Sequence, residues 1–182
     1  DKVKVAKEGI LNQKGKFNTV ILFDVIEHIK DDEKVLRKIN HLLNPNGFVL
    51  LALTSNPKEW RWDDEFYGHY RRYNENDIRT KLIKANLEPK DFIEYTFPVF
   101  WLIRRLYTTI QKPPQINLKD KVKRTDMSAI SSSWSIPPLF QVIIKLDLLW
   151  RIIFFFQYHF FKKYTSSGFA MLVLAQKLPK NS

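Results

Sequence analysis

Two short apolar runs separated by one amphipathic, helix-length segment constrain this chain more than any other feature. Thr19-Val20-Ile21-Leu22-Phe23 is β-rich and apolar on both faces, the pattern of a parallel strand covered by helices on both sides. Asp31 and Asp32 offer caps for a helix in which Val35, Leu36, Ile39, Leu42 and Leu43 recur at helical spacing, with Arg37, Lys38 and Asn40 facing outward. Asn44-Pro45-Asn46-Gly47 ends that helix near Leu43, because proline cannot continue the hydrogen-bond ladder and glycine accepts positive φ. The run from Phe48 to Leu53 then reads as a second buried strand. Strand, helix and strand in about 35 residues make a βαβ unit with a right-handed crossover.

The rest of the chain extends this unit and then departs from it. Thr54 to Tyr73 is polar and aromatic and reads as a loop; Asn74 caps a second helix with an apolar stripe of Ile78, Leu82, Ile83 and Leu87. A strand is expected near Phe92 to Phe97, ended by Pro98. Val99 to Thr165 breaks the alternation and reads as an insertion, its second half, Leu139 to Phe161, forming one or two apolar helices. Gly168 to Gln176 reads as a closing strand. The expected organisation is an α/β core over residues 1–98, an apolar and basic helical insertion over 99–165, and a closing strand and tail over 166–182. No internal repeat is present.

With 182 residues, 45% hydrophobic and 27% charged, the chain can bury one sizeable core, which excludes disordered and fibrous classes. Without cysteine it has no disulfide, no thiolate zinc site and no cysteine nucleophile, and it suits a reducing compartment, so a cytoplasmic location is expected. No secretory pattern is visible in Asp1 to Ala6. Ile152 to Phe161, free of formal charge, is too short to span a bilayer, which takes about 20 residues. The net charge is +11, and residues 101–163 hold eleven Lys or Arg against three acids. A solvated basic face accounts for this excess, and so does a membrane-associated surface facing anionic lipid; a nucleic acid partner is not expected.

In an open α/β sheet, ligands sit at the carboxyl ends of the strands. Two such places stand out: Phe23-Asp24-Val25-Ile26-Glu27-His28 and Thr54-Ser55-Asn56-Pro57. His28 and His69 are the candidate general bases, because imidazole accepts a proton near neutral pH. His69 lies in a loop with Asp63, Asp64, Glu65, Arg71, Arg72 and Tyr73. Arg71 and Arg72 suit a carboxylate or phosphate on a substrate, and equally suit pairing with Asp63 to Glu65. Trp60, Trp62, Phe66 and Tyr67 would wall a flat substrate or pack the loop onto the sheet. Asp63, Glu65, His28 and His69 show no metal-ligand spacing, and no metal is expected.

Three segments carry a family resemblance. Phe17 to Ile29, with Asp24-Val25-Ile26-Glu27-His28, resembles the fourth strand and D-x-x-E-H ending of the class I S-adenosylmethionine-dependent methyltransferases. Leu42-Leu43-Asn44-Pro45-Asn46-Gly47 resembles the L-x-P-G-G turn into their fifth strand, and Gly68-His69-Tyr70-Arg71-Arg72-Tyr73 is similar to the G-H-x-R-x-Y segment of the ubiquinone-biosynthesis O-methyltransferase branch. The resemblance covers about residues 1–97 and the last strand. It implies a Rossmann-like methyltransferase fold with an apolar helical insertion before the last strand, truncated at the amino end.

The resemblance also implies S-adenosylmethionine as cofactor. Asp24, with Phe23 and Val25, would lie near the sulfonium, and Glu8, Gly9 and Ile10 beside the adenine. His69 and His28 would act as bases, and Arg71, Arg72, Tyr73 and Trp62 would meet the substrate. The glycine-rich first motif of the family has no counterpart, since no two of the five glycines form a G-x-G. The expected activity is methyl transfer to a small-molecule or lipid-linked acceptor; the alternative is a non-catalytic module of the same fold that binds a partner or a membrane. Phe154, Phe155, Phe156, Tyr158, Phe160 and Phe161, flanked by Arg151, Lys162 and Lys163, suit an interfacial anchor, or burial against the sheet or a subunit partner. A homo-oligomer is a further expectation, because an exposed sheet edge near residues 1–18 would favour pairing.

Overall fold

The computed structural model describes residues 9–111 and 146–179. Four strands, β1 (Phe17–Phe23), β2 (Leu43–Thr54), β3 (Leu87–Glu94) and β4 (Ala170–Lys177), form one sheet in the order β1-β2-β4-β3. β1 and β2 are parallel, and β4 runs antiparallel to both β2 and β3. The strand nearest the carboxyl end is therefore inserted beside β2 and pushes β3 to the edge.

Helix α1 (Asp32–Leu42) connects β1 to β2. Asp31 caps it, its carboxylate accepting from Lys34 N at 3.0 Å, and Val35, Leu36, Ile39 and Leu42 are buried against the sheet. Each such side chain contributes about 1.5–3 kcal/mol relative to exposure. The register steps from Phe17 opposite Leu43 to Thr19 opposite Phe48, so Asn44 to Gly47 loop out of the pairing. A Cβ on Gly47 would lie 3.0 Å from the carbonyls of Asn18 and Asn44, a close approach that favours glycine.

Helix α2 (Trp62–Tyr67) occupies the segment expected to be a loop, and the single turn Pro57–Glu59 precedes it. Asp64 makes this helix start by accepting from Arg61 N at 2.8 Å, and Gly68 ends it with φ 76°. Helix α3 (Glu75–Lys84) is capped by Asn74, which accepts from Asp77 N at 2.8 Å. Ile78 and Leu82 face the core, whereas Ile83 is exposed and Leu87 belongs to β3, which corrects the expected four-residue stripe.

Strand β3 ends three residues earlier than expected. The buried Glu94 carboxylate accepts from Thr96 N at 2.6 Å and Phe97 N at 3.1 Å, turning the chain before Pro98. Pro89 is tolerated within β3 because the strand lies at the sheet edge. Helix α4 (Val99–Ile110) and helix α5 (Asp147–Phe161) fall in the expected insertion. Phe97 meets Phe161, and Phe100 meets Trp150 and Phe154, so the two helices run antiparallel.

The core lies between α1, α3 and one face of the sheet: Val20 and Leu22 of β1, Val49, Leu51 and Leu53 of β2, Met171 and Val173 of β4. Phe17, Ile21 and Phe23 are exposed on the other face. The expectation that β1 is covered on both sides therefore holds for one side among the described residues.

Candidate functional site

A cleft of about 280 Å³ opens at the carboxyl ends of β1 and β2. Its lining brings together Asp24, Glu27, His28, Thr54, His69 and Arg72. At the end of β1 the chain turns through Asp24, whose φ of 52° is left-handed and whose N–H donates to Ala52 O at 2.9 Å. The short turn Ile26–His28 then carries Glu27 and His28 into the cleft wall.

Glu27 is fully buried, and one carboxyl oxygen accepts from Thr54 N at 3.2 Å. Its Oε2 is buried with no hydrogen-bond partner among the described residues. Burial penalises its charge and raises its pKa to about 7. His28 sits edge to face with His69, ring centroids 4.6 Å apart. Burial, and then the neighbouring His69, lower the His28 pKa to about 4. His28 is thus neutral at pH 7 and a weak base.

His69 is held by an acid. Its Nδ1 lies 2.8 Å from Asp64 Oδ1. Asp64 is buried, and burial alone would disfavour its charge; the bond from His69 and the Arg72 guanidinium outweigh that and hold its pKa at about 2. An ionised Asp64 accepts, so the proton of a neutral His69 resides on Nδ1 and Nε2 is the basic nitrogen. Arg72 Nε donates to Asp64 at 2.8 Å, and its Nη1 donates to Ser55 O at 2.8 Å and Phe169 O at 2.9 Å. From α4, Arg104 donates bidentately to Asp63 at 2.8 and 2.6 Å and to Asp64 at 2.9 Å. Its guanidinium also lies over the Phe169 ring at 5.0 Å. Arg105 of the same helix pairs with Glu59, fixing α4 over the turn before α2.

Several sequence-predicted site residues are placed elsewhere. Tyr73 is fully buried with its hydroxyl on Asp32 at 2.8 Å, a core position that a substrate cannot reach. Arg71 pairs with the same Asp32 at 2.7 Å and donates to Lys30 O at 2.6 Å, outside the cleft. Arg72 lines the cleft, but these bonds commit its guanidinium to Asp64 and two backbone carbonyls, so it braces the site instead of gripping a substrate. Trp62 donates from Nε1 to Thr108 O at 2.8 Å and packs on Tyr107, tying α2 to α4. Phe23 is exposed beside Asp24; Val25 and Ile10 pack against the core, and Gly9 opens the turn Ile10–Asn12. Glu8 lies outside the described residues.

Sequence reasoning placed Glu27 and Asp64 beside the candidate bases without giving them a role, and it did not single out Arg104. Glu27 carried a signal, an acid inside the apolar stretch from Val20 to Ile29. Asp64 and Arg104 lie 40 residues apart, and no spacing rule links them. Among the described residues, no group of three or more His, Cys, Asp or Glu is placed to hold a metal ion.

Residues 1–90 match the family model described as a methyltransferase domain. The sheet order with its antiparallel β4, together with this match, makes the fold Rossmann-like and of the methyltransferase type. A Bacillus halodurans structure described as a methyltransferase matches at 15% identity and TM-score 0.51, over 97% of this chain and 78% of its own. The cyclase SpnF matches at 10% identity and TM-score 0.50, over 95% of this chain and 55% of its own. Phosphoethanolamine N-methyltransferase 2 of Haemonchus contortus, solved with S-adenosylhomocysteine and phosphomonomethylethanolamine, matches at 17% identity and TM-score 0.47. That match covers 94% of this chain, which spans 36% of the Haemonchus protein. No curated protein matches. A cyclase and a methyltransferase resemble the chain about equally, so the chemistry has to be argued from the site.

Proposed function

We propose that this chain belongs to the catalytic domain of an S-adenosylmethionine-dependent methyltransferase. In this reading His69 takes a proton from the nucleophile of a small-molecule or lipid-linked acceptor. The observation that carries it is the Asp64–His69 contact at 2.8 Å, in a cleft at the carboxyl ends of two parallel strands. Asp64 holds the Nδ1 proton and makes Nε2 the accepting atom, and Arg72 and Arg104 keep Asp64 ionised.

The residues present fit the cationic side of the cofactor. Asp24 at the strand end and the unpartnered Oε2 of Glu27 put carboxyl oxygens where a sulfonium would be stabilised. The cofactor supplies an electrophilic methyl group; the protein aligns the acceptor, excludes water and moves its proton. The match of residues 1–90 to the methyltransferase domain supports the reading.

The test is a calorimetric titration of S-adenosylhomocysteine into the protein expressed from its complete gene. Micromolar binding is expected, weakened by roughly tenfold in Asp24→Ala through the lost charge contact. His69→Gln should keep that binding and lower methyl transfer by about a hundredfold or more. A folded protein that binds no S-adenosylhomocysteine would overturn the reading in favour of a non-catalytic module.

A further inference from the structure

Both arginines of the cleft are committed to its own acids. Arg72 donates to Asp64, Ser55 O and Phe169 O, and Arg104 donates to Asp63, Asp64 and Glu59 O. Two guanidiniums are thus matched by two carboxylates, Asp63 and Asp64, and no Lys lines the cleft among the described residues. Asp24 and Glu27 line the same cleft, and neither has an Arg or Lys partner among the described residues. Glu27 gives the sharper signal. Its side chain is 0% exposed and Oε1 accepts from Thr54 N, whereas Oε2 accepts from nothing. Burying an acceptor without a donor is costly, so an unfilled acceptor in a cleft wall marks where the donor of a ligand belongs.

We propose that the methyl acceptor is an amine, which enters as its ammonium ion and donates to Glu27 Oε2. This rests on the methyltransferase reading of the cleft and names the substrate class within it. The cofactor of that reaction brings one positive charge, at sulfur, to a cleft with two carboxyl groups that no guanidinium or ammonium meets. The second carboxyl is left for a cation on the acceptor, and such a cation holds Glu27 ionised. A carboxylate or phosphate at the reacting end would face Asp24 and Glu27 with both arginines already bound elsewhere. The Tyr67 ring lines the same cleft, and an aromatic wall favours an organic cation over an anion. In the reaction one N–H proton passes to His69 Nε2, where Asp64 stabilises the imidazolium. The freed nitrogen lone pair forms the N–CH3 bond as the C–S bond breaks. The electron pair of that bond stays on sulfur, giving S-adenosylhomocysteine and an N-methylammonium product.

The experiment is a calorimetric titration of benzylamine, benzyl alcohol and benzoate, three probes of similar shape, into the whole protein near neutral pH with S-adenosylhomocysteine bound. Benzylamine should bind about tenfold tighter than benzyl alcohol, because a charged donor meets the carboxylate, and benzoate should bind weakest. This order is read on the unaltered protein and needs no variant. Glu27→Gln, of the same shape and checked for folding by circular dichroism, should reduce the preference for the amine over the alcohol by roughly tenfold. Absence of benzylamine binding, benzyl alcohol or benzoate binding as tightly as benzylamine, or an amine preference unchanged in Glu27→Gln would each overturn the proposal while leaving the methyltransferase reading in place. Failure of S-adenosylhomocysteine itself to bind would overturn that reading, and the proposal with it.

Discussion

Replacing Arg104 with methionine tests whether the insertion is wired into the core by buried charge. The buried guanidinium makes two bonds to Asp63, one to Asp64, and one from Nη1 to Glu59 O at 3.0 Å. Methionine fills similar space and donates nothing, so Asp63 stays buried without its bidentate partner. Breaking one side of a buried pair costs about 3–5 kcal/mol. At about 2–4 °C per kcal/mol for a chain of this size, the melting temperature should fall by roughly 6–20 °C. Urea unfolding followed by circular dichroism measures the loss through the midpoint at constant slope. Asp63→Asn in the same chain should recover part of it, giving a coupling of about 2 kcal/mol in the double-mutant cycle. Because the pair is buried, the loss should persist at high salt. A loss under about 1 kcal/mol, or one that salt abolishes, would refute the claim that this ion pair anchors α4.

Two cleft residues make opposing contributions to the pH dependence. Glu27, raised from 4.5 to about 7, stabilises the fold most below pH 4.5 and loses that contribution as pH rises through 7. His28, lowered from 6.5 to about 4, contributes fully above pH 6.5 and loses its contribution as pH falls through 4. Glu27→Gln should therefore make stability fall by about 2–4 kcal/mol between pH 6.5 and 4 relative to the parent, and His28→Asn should make it rise. Unfolding midpoints across that range decide the matter, and identical profiles would contradict the buried-carboxyl account. Gly168→Ala places a Cβ 2.1 Å from Glu94 Oε1 and should cost about 2 kcal/mol or more. Denaturation of Gly168→Ala in the Glu94→Ala background should show most of that extra cost gone.

The β1-α1-β2 unit, the Asp31 and Asn74 caps and the closing strand were legible because each depends on residues within a few positions of one another. The end of β3 was not, since Glu94 terminates it by folding its carboxylate back onto Thr96 and Phe97, which competes with the apolar pattern running on to Phe97. The loop expected over Thr54 to Tyr73 contains a helix whose first turn is secured by Asp64, a residue that also belongs to the site.

The residue order alone determined that this chain builds a parallel βαβ unit and that acids and histidines leave the first strand toward a ligand-binding edge. Tertiary structure decided which of those groups act together. Sheet order brought Phe169, just before β4, beside Arg72, and α4 over α2, so that Asp63 and Asp64 received their arginines from 8 to 41 residues away. It also turned Tyr73 and Arg71 inward onto Asp32 and left α5 with its apolar side outward. Periodicity and capping are encoded locally, whereas pairing of buried charges follows from which elements the fold lays side by side, and the cost of leaving any one of them unpaired holds the arrangement in place.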